Sequence, residues 1–167
     1  MTGVQTCALP ISGIGELYAA EVLGEGLANR WLELATDPIE RYKIGLFLQL
    51  ESEAKVRLRP LLARHGISLV EDEKQRAAGA AAAEQFAAKP WREAMAALAP
   101  LCLPFAHRFQ SLLEVAAPED APLIRFMIDH ELSVSRMAER EAQGESAFSS
   151  DLVVKLEHPF AYVGASR

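Results

Sequence analysis

The sequence predicts an all-α fold, a single up-and-down helical bundle. Three observations carry that reading. Apolar residues recur at i, i+3, i+4 and i+7 along several long stretches, the spacing of a helix with one core-facing stripe. Helix punctuation separates those stretches, at Asp37-Pro38, Gly66, Lys89-Pro90 and Gly144. The chain has 167 residues, 50% of them hydrophobic, which suits one domain with its own core and is too apolar for disorder.

Residues 1–11, MTGVQTCALPI, stand apart from this pattern. Back-translated from a GTG start codon, they resemble a common short-read sequencing-library adapter at every position. A secretory signal peptide fits them badly, because no Lys or Arg precedes the apolar part and Pro10 interrupts it. The expectation is that this segment is an assembly artefact and that the natural N-terminus is missing. The bundle then occupies residues 12–145, and residues 146–167 form a tail packing on it.

The first helix is expected over residues 13–35, with Ile14, Leu17, Gly24, Ala28, Trp31, Leu32 and Ala35 on one side. Asp37 is an N-cap type and Pro38 suits the first helical position, so a second helix starts there. It runs to about residue 65, where Gly66 stops it, and Pro60 inside it predicts a kink or an early end. So short a connection makes the two helices antiparallel neighbours. Residues 68–88 are Ala-rich, with strong helix propensity but little bulk, which predicts a peripheral or crossover helix. Residues 90–115 form the next helix, with Trp91, Met95, Leu98, Cys102, Phe105, Phe109 and Leu112 on one face and a bend expected at Pro100 and Pro104. The last long helix covers residues 122–143, with a stripe of Leu123, Met127, Val134, Met137 and Ala138. A short helix over residues 151–156 would pack the tail on the bundle.

Charge and motifs narrow the function classes. Lys+Arg is 17 against Asp+Glu 23, a formal net charge of −6, and an acidic chain without a basic cluster argues against nucleic acid as a partner. No apolar run is long enough to span a bilayer, so no membrane partner is expected. With residues 1–11 set aside, Cys102 is the single native cysteine. That excludes a disulfide framework and makes a reducing, cytoplasmic setting the default. No phosphate-binding glycine loop, Cys-x-x-Cys, His-Glu-x-x-His or serine nucleophile elbow is present.

One carboxylate is out of place. Glu51 falls on the second helix's apolar stripe of Ile44, Phe47, Ala54, Leu58, Leu61 and Leu62. A buried unpaired carboxylate is strongly unfavourable or takes up a proton, so Glu51 calls for a cation, a metal or a hydrogen-bonding partner. Glu21 lies within about 40° of the centre of the first helix's stripe. It precedes the turn at Thr36 and Asp37 by about as much as Glu51 follows it, so the two should meet at one level. His130 and Glu131 flank the centre of the last stripe, each within about 60°. Carboxylates and imidazole on facing helices are the donor set of di-iron and di-manganese bundles. Plainer roles stay open beside this one. Lys55, one turn after Glu51, could neutralise it. His130 could be a satisfied core histidine, and Cys102 a small hydrophobe. His107, with Gln110 and Glu114, reads as a solvated face.

Over residues 13–141 the chain resembles the ferritin-like superfamily, in helical pattern and in its inward Glu positions. The family pattern is Glu on the first helix, Glu-x-x-His on the second, Glu on the third and Glu-x-x-His on the fourth. Glu21 and Glu51 match the first two Glu positions. Ala54 and Val134 stand where a His would be expected, and the helix over residues 90–115 turns Cys102 and Phe105 inward and no Glu. The resemblance implies a metal-dependent oxidoreductase, or a remnant of one. Glu21, Glu51 and Glu131 would be carboxylate ligands and His130 a nitrogen ligand for iron or manganese, acting on an unknown small molecule. A homodimer is compatible with this reading. The alternative is a metal-free binding or interaction bundle in which the same residues form a buried hydrogen-bonded cluster.

Overall fold

Asp37 shows why the chain turns where it does. Its side chain accepts from the backbone N–H groups of Ile39 (2.8 Å) and Glu40 (2.9 Å), and Pro38 follows at the first helical position. Helix α1 (Ala8–Leu34) ends just before this cap and α2 (Pro38–Arg64) begins after it. The structure, a computed structural model, describes residues 8–146 and 151–161. Cys7 and the rest of residues 1–7 lie outside the described residues, as do 147–150 and 162–167 of the expected tail. Helix α1 starts five residues earlier than the apolar stripe indicates. Ile11, near its start, is 41% exposed.

Helix α2 runs unbroken past Pro60, which lies on the exposed side. It stops at Gly66, whose φ is +65°, with Ile67 donating to the Leu62 carbonyl at 2.9 Å. The next helix, α3 (Glu73–Ala87), is shorter than the Ala-rich stretch suggests, because Asp72 caps it by accepting from the Lys74 N–H at 2.9 Å. Helix α4 (Trp91–Val115) carries Pro100 and Pro104 on its exposed side and stays one helix. Helix α5 (Ala121–Ala142) closes the bundle. Its stripe is rotated slightly from expectation, with Ile124 buried and Leu123 only half-buried. Among the described residues there is no strand, and no helix is long and apolar enough to cross a membrane.

Side-chain pairings set the directions. Trp31 meets Trp91 and Glu16 meets Arg108, so α1 and α4 are antiparallel. Lys43 meets Glu141 and Arg64 meets Asp120, so α2 and α5 are antiparallel. Arg30 meets Glu84 while Tyr18 meets Glu71 at the start of the α3 segment, so α3 runs parallel to α1. The chain therefore alternates up and down through α1 to α5. In the four-helix core α2 and α4 both run down, and α3 carries the chain back between them. Helix α3 is more closely held than a peripheral helix would be. A Cβ at Gly79 would collide with the Leu23 carbonyl, so the missing side chain lets the α1 and α3 backbones touch.

The core has two apolar halves. One is built around Trp31, Phe47, Met95 and Met137, with Leu152 and Leu156 of the tail buried against it. The other is built around Leu17, Leu61, Phe109 and Met127. The tail holds its course along α2 through Glu157, whose N–H donates to Glu53 at 2.9 Å, and through Tyr42 packed edge-on to Phe160. Between the two apolar halves, at mid-height, lies a layer of charged side chains.

Candidate functional site

Three helices supply that layer. Glu21 of α1, Glu51 of α2 and His130 of α5 are all buried, and one ligand atom of each lies within 4.8 Å of the others. His130 Nε2 lies 3.2 Å from Glu51 Oε1 and 3.5 Å from Glu21 Oε2. Gly24, one turn along α1 from Glu21, makes room for this arrangement, because a Cβ there would overlap the Glu51 carboxylate. The two carboxylates meet at one level of the α1–α2 hairpin because each is about four helical turns from the Asp37 cap.

Lys55 does not neutralise Glu51. Its ammonium, 5% exposed, pairs instead with Glu25 of α1 and with Glu71 in the segment leading into α3. Arg76 also reaches Glu25 and Glu71, and Ser52 donates to Glu25 at 2.7 Å. This second polar knot ties α1, α2 and α3 together. It takes up the cation that a purely local reading would give to Glu51. Burial works against ionised Glu25, but bonds from Lys55 and Ser52 outweigh it and hold its pKa below the ordinary carboxylate value. His107, Gln110 and Glu114 are exposed on α4.

Inside the triad the electrostatics run the other way. Burial lifts the Glu21 carboxyl well above its ordinary pKa of 4.5, and the charge of Glu51 adds to this against the pull of His130. Burial disfavours a charged His130, but the Glu21 and Glu51 carboxylates beside it outweigh that and raise its pKa from 6.5 to about 10. Three polar atoms in this layer are left without a hydrogen bond, namely both Glu21 carboxylate oxygens and His130 Nδ1. Such orphans in a buried setting are costly and call for a partner.

Glu131, the fourth candidate, is not part of the triad. It is 7% exposed and lies beside Cys102 of α4, whose thiol donates to the Leu98 carbonyl (4.0 Å). Burial raises its pKa from 4.5 to about 7, with His130 pulling the other way. Burial and the charges of Glu131 and Glu51 push the Cys102 thiol up, so it stays protonated. Glu51, His130, Glu131 and Cys102 form the polar part of a cavity of about 210 Å³ whose other walls are apolar. The sequence marks Cys102 as inward-facing, but its pairing with Glu131 depends on how α4 and α5 are set against each other. Ala54 and Val134 are buried apolar side chains beside the site and donate nothing to it.

Fold and site together define an all-α bundle whose core is interrupted by a carboxylate–imidazole cluster opening onto an apolar cavity. Compared with known protein families, curated proteins and solved structures, the chain matches none.

Proposed function

We propose that this is a ferritin-like bundle protein in which Glu21, Glu51 and His130 hold a single iron or manganese ion. Its activity would be that of a metal-dependent oxidoreductase working on a small molecule admitted to the cavity. The observation that carries this reading is Glu21. Both its oxygens are buried without a hydrogen bond, beside a second carboxylate and an imidazole from two other helices. Two carboxylates and one nitrogen suit these metals, and three protein donors leave coordination positions open. The crossover through α3 between α2 and α4 supports the ferritin-like assignment, since such bundles carry one long crossover connection. The donor set falls short of the six or so protein ligands of a two-metal bundle site, which is why one ion is proposed. A bound ion would supply one-electron chemistry. The chain's own residues would hold it, exclude water through the apolar walls and place Glu131 and Cys102 beside whatever enters. The buried free thiol of Cys102 fits a reducing, cytoplasmic setting.

A proton competes for the same place. His130, with a pKa of about 10, can carry the positive charge that balances the carboxylates, so a metal-free cluster is the second reading. Metal counting separates the two. Chelator-treated protein reconstituted with Fe(II) or Mn(II) and desalted should retain about one ion per chain by elemental analysis, the number one three-donor site implies. His130→Ala should remove it, because imidazole is the only nitrogen donor in the triad, and Glu21→Gln should do the same. Absence of retained metal across neutral and alkaline pH would leave the metal-free cluster as the function of these residues.

A further inference from the structure

The cavity beside the triad has apolar walls and an acidic floor. Leu27, Leu98 and Phe105 contribute walls, and Glu51, His130 and Glu131 contribute the floor. Three carboxyl groups, those of Glu51 and Glu131 on the floor and of Glu21 behind it, gather around one imidazole, so acids outnumber bases there. Glu21 and Glu51 converge on His130, whereas Glu131 does not. Among the described residues no lysine or arginine pairs with Glu131. The neighbouring Cys102 thiol donates to the Leu98 carbonyl, and a thiol is in any case a weak neutral donor that cannot serve as a counter-charge. His130 and Glu51 are the charged neighbours of Glu131 and act on it in opposite senses, and the remaining cavity walls are apolar.

These facts select among ligands by charge and size. An anion would meet a floor of carboxylates. A purely apolar molecule would leave the Glu131 carboxyl buried without a donor of its own. An ammonium would meet a carboxylate in a place with little competing water, where a charge-assisted hydrogen bond is strong. The cavity, about 210 Å³, exceeds the roughly 150 Å³ of an engineered apolar cavity that binds benzene, which sets the ligand body at one ring or a short branched chain. Leu101 of α4 lines the cavity and is 51% exposed, so the cavity reaches the surface at that residue.

We propose that this cavity binds a small primary amine with a compact apolar body, its ammonium donating to Glu131 and its body filling the space between Leu27, Leu98 and Phe105. The proposal goes beyond the metal reading and requires no ion in the triad.

The test uses the full chain stripped of metal by a chelator, with folding checked by circular dichroism. Three probes of one shape are titrated by calorimetry: benzylamine, benzyl alcohol and benzoate. Benzylamine should bind about tenfold more tightly than benzyl alcohol, and benzoate more weakly than either. Glu131→Gln keeps the size of the side chain. It should abolish the preference for the amine and leave benzyl alcohol binding unchanged. Ala82→Phe, on the α3 side of the cavity, should weaken the amine and the alcohol together. Equal affinity for amine and alcohol, tighter binding of benzoate, a preference that survives Glu131→Gln, or no binding of any probe would each overturn the proposal. Because the titrations use metal-free protein, their failure is distinct from a failure of the metal count.

Discussion

Among the described residues, Glu21 is the one whose two carboxylate oxygens are both buried without a hydrogen-bond donor. Its nearest ionisable neighbours are His130 and Glu51, and the three share one small volume. Replacing either Glu by Gln should therefore change the worth of the other. In a double-mutant cycle on metal-free protein, Glu21→Gln and Glu51→Gln should show a coupling of about 1 kcal/mol or more in urea unfolding, the range for groups in one network. Additive effects would mean that the two carboxylates do not sense each other. Lys55 needs no such test, because the geometry already assigns it. Its ammonium is taken by Glu25 and Glu71, and Glu51 is left to the imidazole.

At the scale of helices, α1 is the organising element. It is covered by α2 and α4 on the bundle side and by α3 on the other, which is why Tyr18, Val22 and Leu27 are buried along with Ile14, Leu17, Ala28 and Trp31 of the expected stripe, while Gly24, Leu32 and Ala35 are half-buried. Backbone contact at Gly79 holds α3 in place. Gly79→Ala forces the helices apart, and the overpacking should cost about 1–3 kcal/mol, read from the urea midpoint. A neutral or stabilising result, as helix propensity alone would give, would show that α3 can shift without loss. The start of α1 should behave oppositely. Ile11 and Ser12 are exposed, and Gly13 lies against Leu112 of the core. Deleting residues 1–11 should lower the melting temperature by only about 3 °C or less, what a loss of under about 1 kcal/mol gives in a chain of this size. A larger drop would show that the segment packs on the bundle.

For the molecule as a whole, the buried acids and imidazole make stability depend on pH in one direction. Glu131 titrates at about 7 folded against an ordinary 4.5, and His130 at about 10 against 6.5. Each holds its proton more tightly folded than unfolded. Each therefore contributes stability that is full below its ordinary value and lost as pH rises through its folded value. Metal-free protein should lose melting temperature in two overlapping stages, from pH 4.5 to about 7 and from pH 6.5 to about 10. Glu131→Gln should shrink the first stage, leaving the share of Glu21, whose pKa is raised as well, and keep the second. Glu25, whose pKa is lowered, acts in the opposite sense, but only as the solution becomes more acidic than that window. Melting curves that stay flat between pH 6.5 and 10 would contradict the pairing of His130 with the two carboxylates.

The helices and their inward faces were legible in the sequence, because periodicity and caps are local. Asp37, Pro38 and Gly66 mark ends through bonds to residues a few positions away, and Ile44, Phe47, Ala54 and Leu58 share a face by helical geometry alone. That same geometry brought Glu21 and Glu51 to one level, since a short turn leaves two helices no other register. Other features depended on how distant segments pack. Nothing local says that Lys55 turns to Glu25 and Glu71, because Glu71 belongs to a connection whose path is set by the seating of α3 on α1. Nor does spacing along α5 separate His130 from its neighbour Glu131. About 100° of helix rotation lies between them. Only the placement of α2 and α4 on either side of α5 sends the imidazole to Glu51 and the carboxylate to Cys102. The cavity is of the same kind, a space that exists because five helices of these particular bulks meet around it.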